Sequence, residues 1–260
     1  MKGKILIAGL FAIVCFGTFS SCTVTGPVGP IGNQGPTGAS GVSFKGAIAG
    51  YVSLYDQYGN PVTVGLKGIT LTLDSIENPI ATVTTDTTGY YFFPNRFTGS
   101  YVLQVINSSS TPLIYGSVMK SFQFVSDTLM NYISLSEQAN FAPTIVTSST
   151  ALGEDSLYIN LAPDVQERDL MVFVGNNSSV NSNDYIYAFP VRVKANASIV
   201  TAVVSATTLY NVGFASGSTV YYAVYGAPVN DKSVYINSST GQNIYTALST
   251  SFITTYTLVP

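Results

Sequence analysis

Histidine is absent from all 260 residues, which removes the usual general base of Ser-His-Asp and Cys-His nucleophiles and the commonest protein ligand for zinc. Ser117-Val118-Met119-Lys120 places a lysine three residues after a serine, a spacing that activates the serine when both lie one helical turn apart. The flanking residues read as strand, where successive side chains point to opposite faces, and no Lys-Thr-Gly partner motif follows, so the pair is read as coincidence. Acids gather at Glu154-Asp155 and at Asp164-x-x-Glu167-x-Asp169. Neither spacing is that of an EF-hand, and a glycosidase pair must face across a cleft from rigid elements. These stretches read as turns, so the acids are expected to be solvated loop charges. No glycine loop leads into a helix to cradle phosphate. The expectation is a chain with no catalytic residue, no metal and no cofactor.

Cysteine chemistry points elsewhere. Met1-Lys2-Gly3-Lys4 is a charged start, and Ile5 to Phe16 is an unbroken run of apolar residues and glycine, too short to span a bilayer comfortably. Phe19-Ser20-Ser21-Cys22 closes the segment. Small residues before a cysteine resemble the bacterial lipobox, with Phe19 where leucine is usual. That resemblance implies cleavage after residue 21 and a lipid on Cys22, which would anchor the chain in a membrane. Cys15 falls in the discarded segment, so an exported chain would keep one cysteine and form no internal disulfide. Its stability must come from packed cores. Loss of residues 1–21 removes Lys2 and Lys4 and no acid, which takes the formal charge from −3 to −5. With 9% charged residues and no basic cluster, the electrostatic footprint for nucleic acid is missing.

Residues 26–43 run Gly-Pro-Val, Gly-Pro-Ile, Gly-Asn-Gln, Gly-Pro-Thr, Gly-Ala-Ser and Gly-Val-Ser. Glycine at every third place is what the crowded axis of a collagen triple helix demands, and the stretch resembles a collagen-like segment. Six triplets without proline at the third place offer little contact to offset chain ordering, so a tether is favoured over a trimer. Fully extended, these residues reach about 56 Å at roughly 3.1 Å each.

From Phe44 onward the pattern is alternation. Strand candidates are Ala47–Val52, Ile69–Leu73, Ala81–Thr84, Tyr90–Phe93, Tyr101–Val105, Phe122–Val125 and Tyr132–Leu135, and then Leu157–Leu161, Leu170–Val174, Tyr185–Phe189, Ile199–Val204, Val220–Tyr225 and Phe252–Leu258. Asp56-Gln57-Tyr58-Gly59-Asn60-Pro61 and Asp86-Thr87-Thr88-Gly89 carry the residues of tight turns. Ala142-Pro143 marks a boundary. The predicted fold is all-β, with two tandem antiparallel β-sandwich domains of Ig-like or transthyretin-like type. They stand behind a signal peptide (1–21) and the lipidated cysteine with its tether (22–43), and span 44–140 and 141–260.

Two resemblances sharpen this expectation. Gly46-x-Ile48-x-Gly50-Tyr51-Val52, Asp56-x-x-Gly59-x-Pro61-Val62, Thr85-Asp86-x-x-Gly89-Tyr90-Tyr91-Phe92 and Gly99-x-Tyr101-x-Leu103-x-Val105 are similar to carboxypeptidase regulatory-like domains of the transthyretin and Cna-B type. The link Thr63 to Gly68 is longer than the family's. The likeness implies a seven-stranded antiparallel sandwich that accompanies enzymes without being one. Gly217-x-Thr219-x-Tyr221-x-Ala223-x-Tyr225 resembles the tyrosine-corner strand of fibronectin type III domains. The core tryptophan of that family is missing, with Leu157 or Ile159 in its region.

Eighteen tyrosines supply rings that pack in cores and across strands, or that grip sugars and protein partners where exposed. Asp74-Ser75-Ile76, Asp86-Thr87-Thr88, Asp127-Thr128-Leu129 and Asp155-Ser156-Leu157 each resemble the O-glycosylation tripeptide of Bacteroidota, which makes Ser75, Thr87, Thr128 and Ser156 candidate glycosylation sites. Asp followed by Ser or Thr is also ordinary turn chemistry. The sequence thus points to an outer-membrane lipoprotein acting as an adhesion, scaffold or spacer module toward an envelope or extracellular protein or glycan. The alternative is a glycan-binding accessory lipoprotein of a polysaccharide-uptake system.

Overall fold

The computed structural model describes residues 44–75, 80–106, 113–125 and 127–259. The signal segment, Cys22 and the Gly-X-Y run lie outside them. The first sandwich is built from β1 (Lys45–Tyr55), β2 (Pro61–Val62), β3 (Thr70–Asp74), β4 (Ala81–Thr84), β5 (Tyr90–Phe97), β6 (Gly99–Val105), β7 (Val118–Phe124) and β8 (Thr128–Ser136). One sheet holds β2, β1, β5 and β8, and the other runs β4-β3-β6-β7. Period-two alternation decides which side chains meet between them: Ile48, Val52, Leu54, Leu71, Leu73, Leu103, Ile133 and Leu135 turn inward with Tyr91, Phe93 and Phe124.

One pairing departs from the antiparallel expectation. β1 and β8 run parallel, in register from Ala47 opposite Thr128 to Tyr55 opposite Ser136. A parallel pair needs a long connection, and the six strands between them supply it. Gly50 makes the closeness of this pair possible. A Cβ there would stand 1.7 Å from the carbonyl oxygen of Asn131, which receives a hydrogen bond from the buried Tyr91 hydroxyl at 2.7 Å.

The second sandwich comprises β9 (Ile145–Ala151), β10 (Glu154–Asn160), β11 (Arg168–Gly175), β12 (Tyr187–Val193), β13 (Ile199–Ser205), α1 (Ala206–Asn211), β14 (Thr219–Ala227), β15 (Val234–Ile236), β16 (Asn243–Tyr245) and β17 (Phe252–Leu258). Its sheets are β13-β10-β9 and β12-β11-β14-β17. Every residue of β11 is buried. Leu170, Val172 and Val174 face the core between the sheets, whereas Met171 and Phe173 pack outward, Phe173 edge-on against Tyr185, Tyr225 and Tyr245. A strand covered on both faces loses its alternation, as the unbroken run Leu170–Val174 shows. β9 escapes the alternation of apolar residues because it is rich in Ser and Thr. Its Ser148 hydroxyl donates to the carbonyl of Tyr256 at 2.7 Å, tying its edge to β17.

The two sandwiches meet through buried polar contacts. Ser233 and Ser136 are 0% and 1% exposed. Ser136 N donates to Ser233 Oγ at 2.8 Å, and Lys232 N donates to Ser136 Oγ at 2.7 Å. Gly116 leaves the space, since a Cβ on it would lie 2.4 Å from that of Ser233. Nearby, Gln138 Nε2 donates to the Leu248 carbonyl at 2.9 Å, Ala139 N to that of Ala247 at 2.8 Å, and the Thr246 hydroxyl to that of Ser117 at 2.7 Å. The β1–β2 turn adds further contacts to this junction. Asp56 holds its shape by accepting from Tyr58 N and Asn60 N at 3.0 and 2.8 Å. The Gln57 carbonyl receives Val229 N at 2.9 Å, and the Tyr58 hydroxyl donates to Asp164 Oδ2 at 3.0 Å.

Asp231 sits in this seam. Its Oδ1 accepts from Ser233 N at 2.8 Å, while Oδ2 is buried without a hydrogen-bond partner among the described residues. Burial pushes the carboxyl up to about 6, against the opposing pull of the Ser233 hydrogen bond. A raised acid pKa means that the unfolded chain releases its proton first, so the group costs stability as pH rises from about 4 to about 6, and the full cost persists above that.

Two outcomes follow from this packing. Gly50→Ala should lower stability in urea unfolding by at least about 2 kcal/mol, because backbone must move to admit the methyl group. Asp231→Asn keeps the acceptor for Ser233 N and removes the buried charge. It should raise stability by about 1–3 kcal/mol at pH 7.5, with the gain shrinking below pH 6 and vanishing near pH 3.5 when both proteins are melted across that range.

Candidate binding face

The acids expected in loops are placed differently. Asp155 lies in β10, fully buried, where it accepts from the Tyr222 hydroxyl at 2.6 Å and from the Thr150 hydroxyl at 2.7 Å. Burial, then the hydrogen bond to Asp155, pushes the Tyr222 phenol well above its ordinary range. Asp169 is buried in β11 and bridged by Arg192, with Arg192 Nη2 at 3.2 Å from Oδ2, and Asn230 N also donates to that oxygen. Asp155 faces the core and Asp169 the covered outer face of β11, and a buried carboxylate is tolerated where donors converge on it. Glu154 is exposed, and Glu167 pairs with Arg192 at 3.3 Å. Asp164 accepts from Gln166 N and from Tyr58, contacts that hold its carboxyl below the usual range. Asp155, Asp164, Glu167 and Asp169 serve the fold and its junction.

Lys120 is exposed on β7 and Ser117 lies just before that strand, without the helix that a serine–lysine pair would need. Among the candidate glycosylation residues, Thr87 is exposed in the turn after β4, and Thr128 is exposed at the start of β8. Ser75 is half-buried after β3, and Ser156 is half-buried on the outward face of β10, next to the buried Asp155. In the turn, Asp86 Oδ1 accepts from Thr88 N, the Thr88 hydroxyl and Tyr90 N, which lowers its carboxyl and leaves Thr87 turned to solvent. Cys22 lies outside the described residues.

The tyrosine-corner bond occurs in the first sandwich, where the Tyr101 hydroxyl donates to the Phe97 carbonyl four residues upstream at 2.8 Å. In β14, of the tyrosines of the Gly217–Tyr225 motif, the Tyr225 hydroxyl accepts from Ser182 N at 3.4 Å and Tyr221 packs on Tyr256, while the neighbouring Tyr222 reaches across the core to Asp155. Leu157 and Ile159 are fully buried in the core of the second sandwich.

The arrangement that single-residue reading missed is on the outer face of the first sheet. Register sets Tyr90, Tyr51 and Tyr132 side by side on β5, β1 and β8, one row across three strands. Tyr51 and Tyr90 have ring centroids 5.2 Å apart at 57°, and Tyr51 and Tyr132 stand 6.3 Å apart and nearly parallel at 12°. Tyr51 and Tyr132 are 40% and 64% exposed. Phe92, Ala49 and Met130 form the next row, with Phe92 and Met130 exposed. Beside the tyrosines lies an open cleft of about 370 Å³ bordered by Tyr51, Ser53, Pro61, Thr63, Thr88 and Tyr132, with no charged residue in its lining. A larger groove of about 810 Å³, lined by Met119, Lys120, Asn183, Tyr235, Ile236 and Asn237, separates β7 from the β15–β16 hairpin. The signal for the row was the odd-numbered spacing of outward residues in β1, but only the parallel register with β8 reveals which tyrosines it joins.

No protein-family model matches the chain, and no curated protein matches it. Among solved structures, a Bacteroides uniformis protein provisionally described as carbohydrate binding is 12% identical, covering 82% of this chain and 99% of its own at a TM-score of 0.31. A DUF3823 family protein from Parabacteroides merdae is 15% identical, covering 80% and 98% at 0.27. The major pilin subunit of Bacillus cereus is 10% identical, covering 82% and 67% at 0.31. At such scores these likenesses carry no function, partner or location to the present chain.

Proposed function

We propose that this chain is an exported lipoprotein, moored to the outer membrane through a lipid on Cys22, whose sandwich domains (44–140 and 141–260) form a non-catalytic adhesion, scaffold or spacer module. The observation that carries the reading is the engagement of its reactive groups. The buried acids Asp155 and Asp169, and Asp164 at the junction, hold strands or seams together, and histidine is absent. What faces outward is ring and hydroxyl rather than a polarised catalytic pair. A body of this kind acts by presenting surface at a set distance, with the tether of 22–43 lifting it from the lipid. The tyrosine row supports the second reading, a glycan-binding accessory lipoprotein of a polysaccharide-uptake system.

Growth with an alkyne fatty acid should label the native chain and leave it in the membrane fraction, whereas Cys22→Ala should abolish the label and release the exported protein. An unlabelled native chain, or a membrane-bound Cys22→Ala protein, contradicts the anchor. Intact mass of the exported chain should exceed that of the bare lipopeptide, with Thr87→Ala and Thr128→Ala, the two exposed sites, each removing a share of the excess.

A further inference from the structure

The geometry points to a specific ligand class for the tyrosine row: we infer that Tyr90, Tyr51 and Tyr132, with the hydroxyl-bordered cleft beside them, bind an uncharged polysaccharide chain. This rests on the presenting-module reading and adds to it the chemistry of what is held.

Four observations lead there. The rings of Tyr51 and Tyr132 are 40% and 64% exposed and nearly parallel to each other, and exposed aromatic rings are the side chains that pack against the C–H groups of sugars. Ser53 and Thr63 border the cleft with hydroxyls that can both donate and accept, as sugar hydroxyls require, and the Thr88 hydroxyl, which donates to Asp86, keeps acceptor capacity there. No charged residue lines the cleft, and the mature chain carries an acid excess, so a uronate or sulfated polymer gains no counter-ion and meets net repulsion. The row is three strands wide, roughly 10–15 Å at about 4.8 Å between strands. Its exposed apolar side chains, Tyr51, Tyr132, Phe92 and Met130 together with half-buried Tyr90, are far fewer than the roughly 20–30 residues a side of a stable protein interface. A strip this narrow fits a polymer one sugar wide.

The purified full chain is run in native gels cast with pullulan, xyloglucan, galactomannan or polygalacturonate. At least one of the three neutral polymers should retard it and polygalacturonate should not. Tyr51→Ala with Tyr132→Ala should weaken that retardation at least about tenfold, while Tyr51→Phe with Tyr132→Phe, which keeps the rings, should retain most of it. Unchanged melting temperatures establish that the exposed substitutions leave the fold intact. The inference is overturned by no retardation in any neutral polymer, by retardation in polygalacturonate alone, or by full retardation of the double alanine protein. It is overturned equally if Lys120→Ala with Tyr235→Ala, which strips the larger groove, is what abolishes binding. Fatty-acid labelling of Cys22 is read separately, so failure of the sugar site and failure of the anchored-module reading are distinguishable.

Discussion

Two serines with almost no exposed surface, Ser136 at the end of β8 and Ser233 before β15, govern how this protein can behave. Each answers a polar group of the other's sandwich, so separating the two bodies would strand backbone donors and hydroxyls away from water. The turn at Gln57 and Tyr58 repeats the arrangement, with Val229 N donating to the Gln57 carbonyl and Asp164 accepting from the Tyr58 hydroxyl. A junction built this way is directional, as an apolar contact is not, and it fixes orientation as well as proximity.

The same chemistry limits what the protein can do. Carboxylates that lie close together in sequence are carried into strands and met by tyrosine, threonine or arginine partners, where they stabilise interior positions that would otherwise be costly. What faces solvent is a pleated surface of rings and hydroxyls held by rigid strands. Adhesion, spacing and sugar binding all use such a surface, and each depends on its being held still.

Much of the fold was legible because alternation is a strong signal wherever one face is buried, as in β1, β6 and β10. The failures have physical causes. β9 has one buried residue, Val146, and is held by side-chain hydroxyl bonds, Ser148 to the Tyr256 carbonyl and Thr150 to Asp155, that hydrophobic patterning does not register. The hairpin β15–β16 has strands of three residues and owes its place to Tyr245 packing on Phe173. The burial of Asp155 and Asp169 is not legible in sequence because charge predicts exposure unless partners are known, and Tyr222 and Arg192 lie 67 and 23 residues away in the chain. The tyrosine row was invisible for the same reason: Tyr132 joins Tyr51 only through a parallel pairing across the whole first sandwich. The absence of a nucleophile–histidine pair needed no structure.

A locked junction is tested most directly by a distance across it. Nitroxide labels at Thr82→Cys on β4 and Thr201→Cys on β13, both exposed, in a chain with Cys22 replaced by alanine, should give one narrow distance distribution by pulsed electron resonance. Adding Ser136→Ala and Ser233→Ala should broaden it. A broad distribution in the protein with both serines intact would contradict the account, because the two sandwiches would then move independently and no fixed face could be presented.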